Sequence, residues 1–220
     1  LNKGGVKAVL FDLDGTLIDT APELALALNA VCRDDGKAAV SDALIRAATS
    51  HGSQALIRLA YPELSPSTQE FERRRELLLD YYHAGLGCRN RLFSGCEEVL
   101  SELSALGIAW GIVTNKPAWL TQPLLARMRF PTEPDCVVSG DTVSRPKPAP
   151  EPLLHAAQLL GLEAGLCIYL GDAERDIQAA NAAGMRALVA LYGYLAPEDT
   201  PSQWGGAGTV ETPLDLLHWL

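Results

Sequence analysis

Phe11-Asp12-Leu13-Asp14-Gly15-Thr16-Leu17-Ile18-Asp19-Thr20 follows directly on the apolar run Val6 to Leu10. The run predicts a short buried strand that ends in two carboxylates and turns at once on a glycine. Strand alternation sends Asp12 and Asp14 to the same side of the chain. Two like charges so close repel unless a cation or a shared proton offsets them. A divalent metal meets that demand and leaves an oxygen for chemistry. The bland alternative is a strand end with polar turn residues. Asp19 reads as a turn acid at a hinge, outside the reactive set.

Outward from this stretch the chain divides in two. From about residue 94 strands and helices alternate: a helix over Glu97 to Leu106, a strand over Ile108 to Val113, a helix over Pro117 to Met128 and a strand over Asp135 to Ser139. A helix over Pro150 to Leu160 follows, then a strand over Leu166 to Leu170, a helix over Ala173 to Ala183 and a strand over Arg186 to Leu191. Such units with compact apolar strands imply an α/β fold, a Rossmann-like parallel sheet with helices on both faces. Between about 22 and 90 the pattern is helical only, over Glu23 to Val31, Asp42 to Ala48 and Thr68 to His83. The expected organisation is an α/β core of residues 1–20 and 92–220 with an inserted, small all-helical cap of residues 21–91. The Gly- and Pro-rich tail from Gly193 to Thr212 reads as a surface loop before a short helix over Leu214 to Trp219.

In open parallel sheets the reactive crevice lies at the carboxyl ends of the strands. There the first strand offers Asp12 and Asp14, and the next core strand Thr114-Asn115. The following loop holds Arg145-Pro146-Lys147-Pro148, and a further strand ends in Gly171-Asp172, with Asp176 four residues on. Each has a plainer reading. Thr114 suits a helix cap, Lys147 an exposed loop, and Asp172 and Asp176 the favourable end of a helix dipole.

Taken in order, Asp12-x-Asp14-Gly15-Thr16, Thr114, Lys147 and Gly171-Asp172-x-x-x-Asp176 resemble the four motifs of the haloacid dehalogenase superfamily over essentially the whole chain. The resemblance implies a nucleophilic Asp12 that forms an aspartyl phosphate and an Asp14 that serves as general acid and base. It implies magnesium on Asp12, Asp172 and the Asp14 carbonyl, though manganese suits the same oxygen donors. Thr114, Asn115 and Lys147 would hold the phosphate, and Asp176 would act behind the metal ligands or hold the loop. An acid at position 14 favours phosphoryl transfer over dehalogenation. The helical insertion resembles the phosphoglycolate phosphatase-like group. Trp110 to Pro117, Tyr192-Gly193-Tyr194, Pro197-Glu198-Asp199 and Trp204-Gly205 are similar to bacterial N-acetylmuramic acid 6-phosphate phosphatases, although the tail aromatics also suit a purely structural role.

The expected activity is hydrolysis of a small phosphorylated metabolite, N-acetylmuramic acid 6-phosphate or 2-phosphoglycolate, as part of carbohydrate metabolism. A sugar phosphomutase on the same core and a non-catalytic binding protein are the alternatives. Within the cap, Ser50-His51-Gly52-Ser53 lies between two helical segments, and His51 and Ser53 are candidates to contact substrate; a plain turn is the other reading. Arg46 and Arg58 are further options for an anionic tail. The run Glu70 to Glu76 reads as a solvated helix face.

Composition narrows the partners. The 220 residues carry 18 basic and 27 acidic side chains, a net charge of −9 with no long basic run, which disfavours nucleic acid and anionic membrane surfaces. The 5 cysteines form no CxxC pair, as expected of reduced thiols in a cytoplasm. The start Leu1-Asn2-Lys3-Gly4-Gly5 lacks the apolar stretch of a signal peptide. A monomer or a homodimer is expected.

Overall fold

The computed structural model describes residues 5–220; the reading of the chain's start at Leu1 to Gly4 lies outside them. Strand β1 (Ala8–Phe11) leads into a short β2 (Ile18–Asp19) and then into helices α1 (Ala21–Asp34), α2 (Asp42–Thr49), α3 (Gly52–Ala60) and α4 (Gln69–Gly85). A short β3 (Arg91–Leu92) returns the chain to α5 (Cys96–Ala105), β4 (Ala109–Val113), α6 (Ala118–Leu125), β5 (Cys136–Val138) and α7 (Glu151–Leu160). The remainder is β6 (Cys167–Gly171), α8 (Glu174–Ala183), β7 (Arg186–Ala190) and β8 (Gly208–Val210), closed by a 3-10 segment, Pro213–Trp219.

Six strands form one parallel sheet in the order β5-β4-β1-β6-β7-β8. Because β1 lies between β4 and β6, the connections run to either side of it, and the crevice opens beyond its carboxyl end. Period-2 alternation splits each strand between two packed layers. Val9 and Phe11 join Ile112, Ile168 and Leu170 on one face, while Ala8 and Leu10 join Val113 and Tyr169 on the other. All four β1 residues are buried, which explains a continuous apolar run in place of an alternating one.

Between β2 and β3 the four helices pack on one another, α1 against α4 and α2, and α3 against α2 and α4. Leu28, Ile45, Leu56, Phe71 and Leu78 meet at their centre. Thr68 starts α4 by accepting the Phe71 N–H at 3.2 Å. β2 and β3 pair antiparallel, Ile18 with Leu92 and Asp19 with Arg91, so the helical block leaves and rejoins the rest through a two-stranded ribbon. Glu23, buried at the start of α1, accepts the N–H groups of Gly87 and Arg89 at 3.2 and 2.6 Å and ties the two ends of the block together.

Three expectations need correction. The tail is more than a loop, since Gly208–Val210 adds a sixth strand beside β7. The segment before it still runs irregularly, and the terminal Pro213–Trp219 coils as a 3-10 helix. Helix α6 ends at Leu125 and not at Met128, because beyond Pro123 the chain tightens into three-residue hydrogen bonds, Arg127 N–H to Leu124 and Met128 N–H to Leu125. Finally, Gly52 begins α3 directly, with φ +81°, so Ser53 lies inside a helix.

Candidate active site

At the end of β1 the Asp12 carboxylate is buried and accepts the Lys147 ammonium at 2.8 Å. Lys147, wholly enclosed, also reaches Asp176 at 2.7 Å, the Tyr169 hydroxyl at 2.7 Å and the Val113 carbonyl at 2.9 Å. Four oxygens surround an ammonium that has three protons, so Lys147 has no donor in reserve. Sequence reading placed Lys147 on the phosphate; its observed partners are these carboxylates and Tyr169. Asp176 also accepts the Ala173 N–H at 3.1 Å and so starts α8. That double duty fits the loop-holding reading of Asp176.

Asp172 ends β6 with its carboxylate engaged on three sides. Thr16 donates at 3.2 Å, Ser50 at 2.7 Å and the Tyr194 N–H at 2.9 Å. Gly15 approaches this group so closely, with φ +88°, that any Cβ there would collide with the Asp172 carboxylate. The Asp-x-Asp-Gly order thus reflects contact between two strand ends. Carboxylate oxygens of Asp12, Asp172 and Asp176 all lie within 4.8 Å of one another.

Three buried carboxylates still outnumber the Lys147 ammonium and the Arg175 guanidinium at the cleft wall, which leaves excess negative charge. Burial pushes Asp12 up to about 6 against the pull of Lys147. Burial, reinforced by the Asp12 and Asp176 charges, pushes Asp172 up to about 7. A buried all-oxygen cluster with this surplus suits a hard divalent cation. Since Lys147 and the α8 start already hold Asp176, Asp12 and Asp172 are the carboxylates best placed to serve one.

The Asp14 side chain belongs to a different group from this cluster. One of its oxygens accepts Thr20 at 2.5 Å and the Lys116 ammonium at 2.7 Å. Lys116 also meets the Tyr82 hydroxyl at 3.1 Å. Burial alone would weaken the Lys116 charge, but Asp14 and Tyr82 hold its pKa above the ordinary value. The second Asp14 oxygen takes no hydrogen bond from the described residues.

Asp12, Asp14, Thr114, Asn115 and Lys116 line a cleft of about 400 Å³ whose opposite wall is the helical block, including Ser50, His51 and Ser53. Thr114 accepts the Lys116 N–H at 3.1 Å, which leaves its hydroxyl proton for the cleft. The Asn115 amide bonds the Lys147 backbone at 2.8 and 3.0 Å. Its side chain holds the Lys147 loop, and its amide nitrogen has a second N–H at the cleft wall. His51 is exposed at the cleft mouth, and Ser53 is half-buried.

Arg58 is solvent-exposed and lies outside the lining. Arg46 is claimed by Asp19 at 2.9 and 3.0 Å and stacks 4.8 Å from the Tyr194 ring. The run Glu70 to Glu76 is only partly a solvated face, since Arg75 lines the cleft. The signal was present in the spacing: Phe71, Arg75, Leu78 and Tyr82 follow the three- and four-residue steps of one helix face.

Sequence reading also missed Ser50 as a partner of Asp172 and Lys116 as a partner of Asp14. Tyr194 stood out only as part of an aromatic tail motif; its hydroxyl receives the N–H groups of Thr20 and Ala21 at 2.7 and 2.9 Å and donates to Asp19 at 2.7 Å. Only tertiary contact could assign these partners, although Lys116 lies two residues beyond Thr114.

The sheet gathers buried acids from the ends of neighbouring strands β1 and β6 and the start of α8, and comparison with known proteins gives the class as hydrolase. The haloacid dehalogenase-like hydrolase family matches residues 9–190, and the chain belongs to that family. A phosphoglycolate phosphatase of Xanthomonas campestris pv. campestris is 41% identical over 96% of this chain and 94% of its own. An N-acetylmuramic acid 6-phosphate phosphatase of Pseudomonas putida is 36% identical over 96% of this chain and 94% of its own. The crystal structure of a predicted phosphoglycolate phosphatase from Haemophilus somnus superposes with a TM-score of 0.82 at 28% identity, over 97% of each chain. Among the described residues no helix is long and apolar enough to cross a membrane.

Proposed function

We propose that this protein is a phosphomonoesterase that hydrolyses a small phosphorylated metabolite through an aspartyl-phosphate intermediate. The observation that carries the reading is Asp12. One of its oxygens is fixed by Lys147, and the other takes no hydrogen bond from the described residues at the edge of the cleft. That second oxygen attacks phosphorus, and the ester P–O bond breaks. Asp14 delivers a proton to the departing oxygen through the carboxylate oxygen that Lys116 and Thr20 leave unbound. Asp14 then takes a proton from the water that attacks the phosphorus of the intermediate, releasing inorganic phosphate and restoring Asp12.

Asp12, Asp172 and the Asp14 carbonyl would hold a magnesium ion, whose charge offsets the repulsion between the Asp12 carboxylate and the anionic phosphoryl group. The Thr114 hydroxyl faces the same space and donates to a non-bridging oxygen. Lys147 acts one step back, aiming Asp12 and balancing Asp176.

Residues 21–91 act in this reading as a cap over a core of 1–20 and 92–220, with the β2–β3 ribbon as the joint. Leu24, Leu56, Leu79 and Leu120 line the cleft and keep bulk water from the intermediate. A cleft of about 400 Å³ matches a metabolite and not a protein substrate. His51 and Ser53 on the cap wall are placed to meet the part of the substrate away from phosphorus.

The near-full-length relatives supply two candidates, 2-phosphoglycolate and N-acetylmuramic acid 6-phosphate. Phosphate release with magnesium from the two, compared as kcat/KM, chooses between them. Asp12→Asn should abolish release from both while the protein stays folded; substantial residual turnover would remove Asp12 from the nucleophile's role.

A further inference from the structure

Among the described residues, the other Lys and Arg side chains around the cleft are already claimed. Lys116 belongs to Asp14 and Tyr82, Arg75 is paired with Glu72, and Lys147 is enclosed behind Asp12 and Asp176. Arg175 lines the cleft beside Asp12 and Thr114, and among the described residues it makes neither a hydrogen bond nor an ion pair.

Its position is costly without a ligand. Arg175 stands in the first turn of α8, where the helix dipole disfavours a cation. It is largely withdrawn from water, so its five donors lack full hydration. Burial works against its charge, yet the fields of Asp176, Asp12 and Asp172 keep the guanidinium pKa above its ordinary value. The result is a charged planar fork in the cleft that Asp12 also lines, with no hydrogen bond or ion pair among the described residues.

We propose, resting on the phosphatase reading above, that Arg175 contacts the substrate and that its guanidinium binds the non-bridging oxygens of the phosphoryl group facing Asp12. Arginine suits that task because its parallel N–H pair matches two oxygens at once. Its carrier, α8, is anchored by Asp176, which also fixes Lys147, so one helix start aims the anion fork and supports the attacking carboxylate.

The test pairs calorimetric titration of inorganic phosphate, with magnesium present, with kinetics on p-nitrophenyl phosphate and 2-phosphoglycolate. Arg175→Met should weaken phosphate binding at least about 10-fold and lower kcat/KM for both esters by about 10- to 100-fold, the range of a charge-assisted pair. Arg175→Lys should recover part of both losses, and it carries the test if the methionine variant fails to fold. Unchanged phosphate binding in both variants would overturn the proposal. So would a loss confined to 2-phosphoglycolate, which would place Arg175 on the carboxylate. A wild-type protein that binds phosphate through Arg175 but hydrolyses no ester would refute the phosphatase reading and leave the anion site standing. A wild-type protein that binds no phosphate would overturn the site itself.

Discussion

Lys116 and Asp14 are joined by a 2.7 Å ion pair between residues 102 positions apart in sequence, at the wall of the cleft. The pair leaves one Asp14 oxygen for chemistry and fixes its direction. Lys116→Met should therefore lower kcat about 100-fold for an alkyl phosphate, the usual worth of a positioned acid-base group. For p-nitrophenyl phosphate the loss should be smaller, because that leaving group departs without a proton. Equal losses with both substrates would mean that Lys116 serves the fold and not proton transfer.

Lys147 and Asp176 make a second coupled pair, buried without contact with solvent. Lys147→Met strands the Asp12 and Asp176 charges together and should destabilise the protein by about 3–5 kcal/mol. Adding Asp176→Asn should restore part of that loss, since one stranded charge disappears. Urea unfolding of the two single variants and the double variant measures the coupling. Strictly additive losses would contradict it.

The raised carboxyls predict how stability responds to pH. Burial holds the Asp12 and Asp172 carboxyls up at about 6 and about 7, above the ordinary aspartate value of 3.8. Between about pH 4 and 7 the folded state then binds more protons than the unfolded state, so stability falls as pH rises. Metal-stripped protein should lose several degrees of Tm from pH 5 to pH 8, on the order of 5 °C. Magnesium should restore more of the Tm at pH 8 than at pH 5, because only the ionised carboxyls bind it. A flat profile, or equal metal stabilisation at both pH values, would count against the cluster.

Tyr194→Phe removes the hydroxyl that receives the first N–H groups of α1, from Thr20 and Ala21. The Thr20 side chain does not cap that helix start itself, so two buried donors lose their partner. The expected cost is about 2 kcal/mol or more in chemical denaturation. kcat should fall as well, since the joint that carries the helical block loosens.

Much of the architecture could be read from local pattern because the pattern has local causes. β1 and β6 are apolar runs since both sheet faces are covered, and Gly161 and Gly184 end α7 and α8 in left-handed conformations that glycine adopts without strain. The motif residues converge at one sheet edge because each follows a strand end. What escaped was decided by distant partners. Gly208-Thr209-Val210 is too short and glycine-flanked to announce a strand, and it becomes one only by pairing with β7. Local pattern also says nothing of the further partners of Asn115 and Lys147: the Asn115 amide bonds the Lys147 backbone, and the Lys147 ammonium meets two carboxylates. Arg75 was hidden by its charged neighbours, although it shares a helix face with Phe71 and Tyr82.

Tyr194 gives the tail an importance that its composition conceals. Its backbone N–H holds Asp172 and its hydroxyl holds the entrance to α1, so a single residue spans from reaction centre to joint. The distance between the two is thereby gauged by the length of one tyrosine side chain. A loop change on the far side of β7 that shifts Tyr194 would move cover and carboxylate together, and would detune the enzyme without touching the cleft.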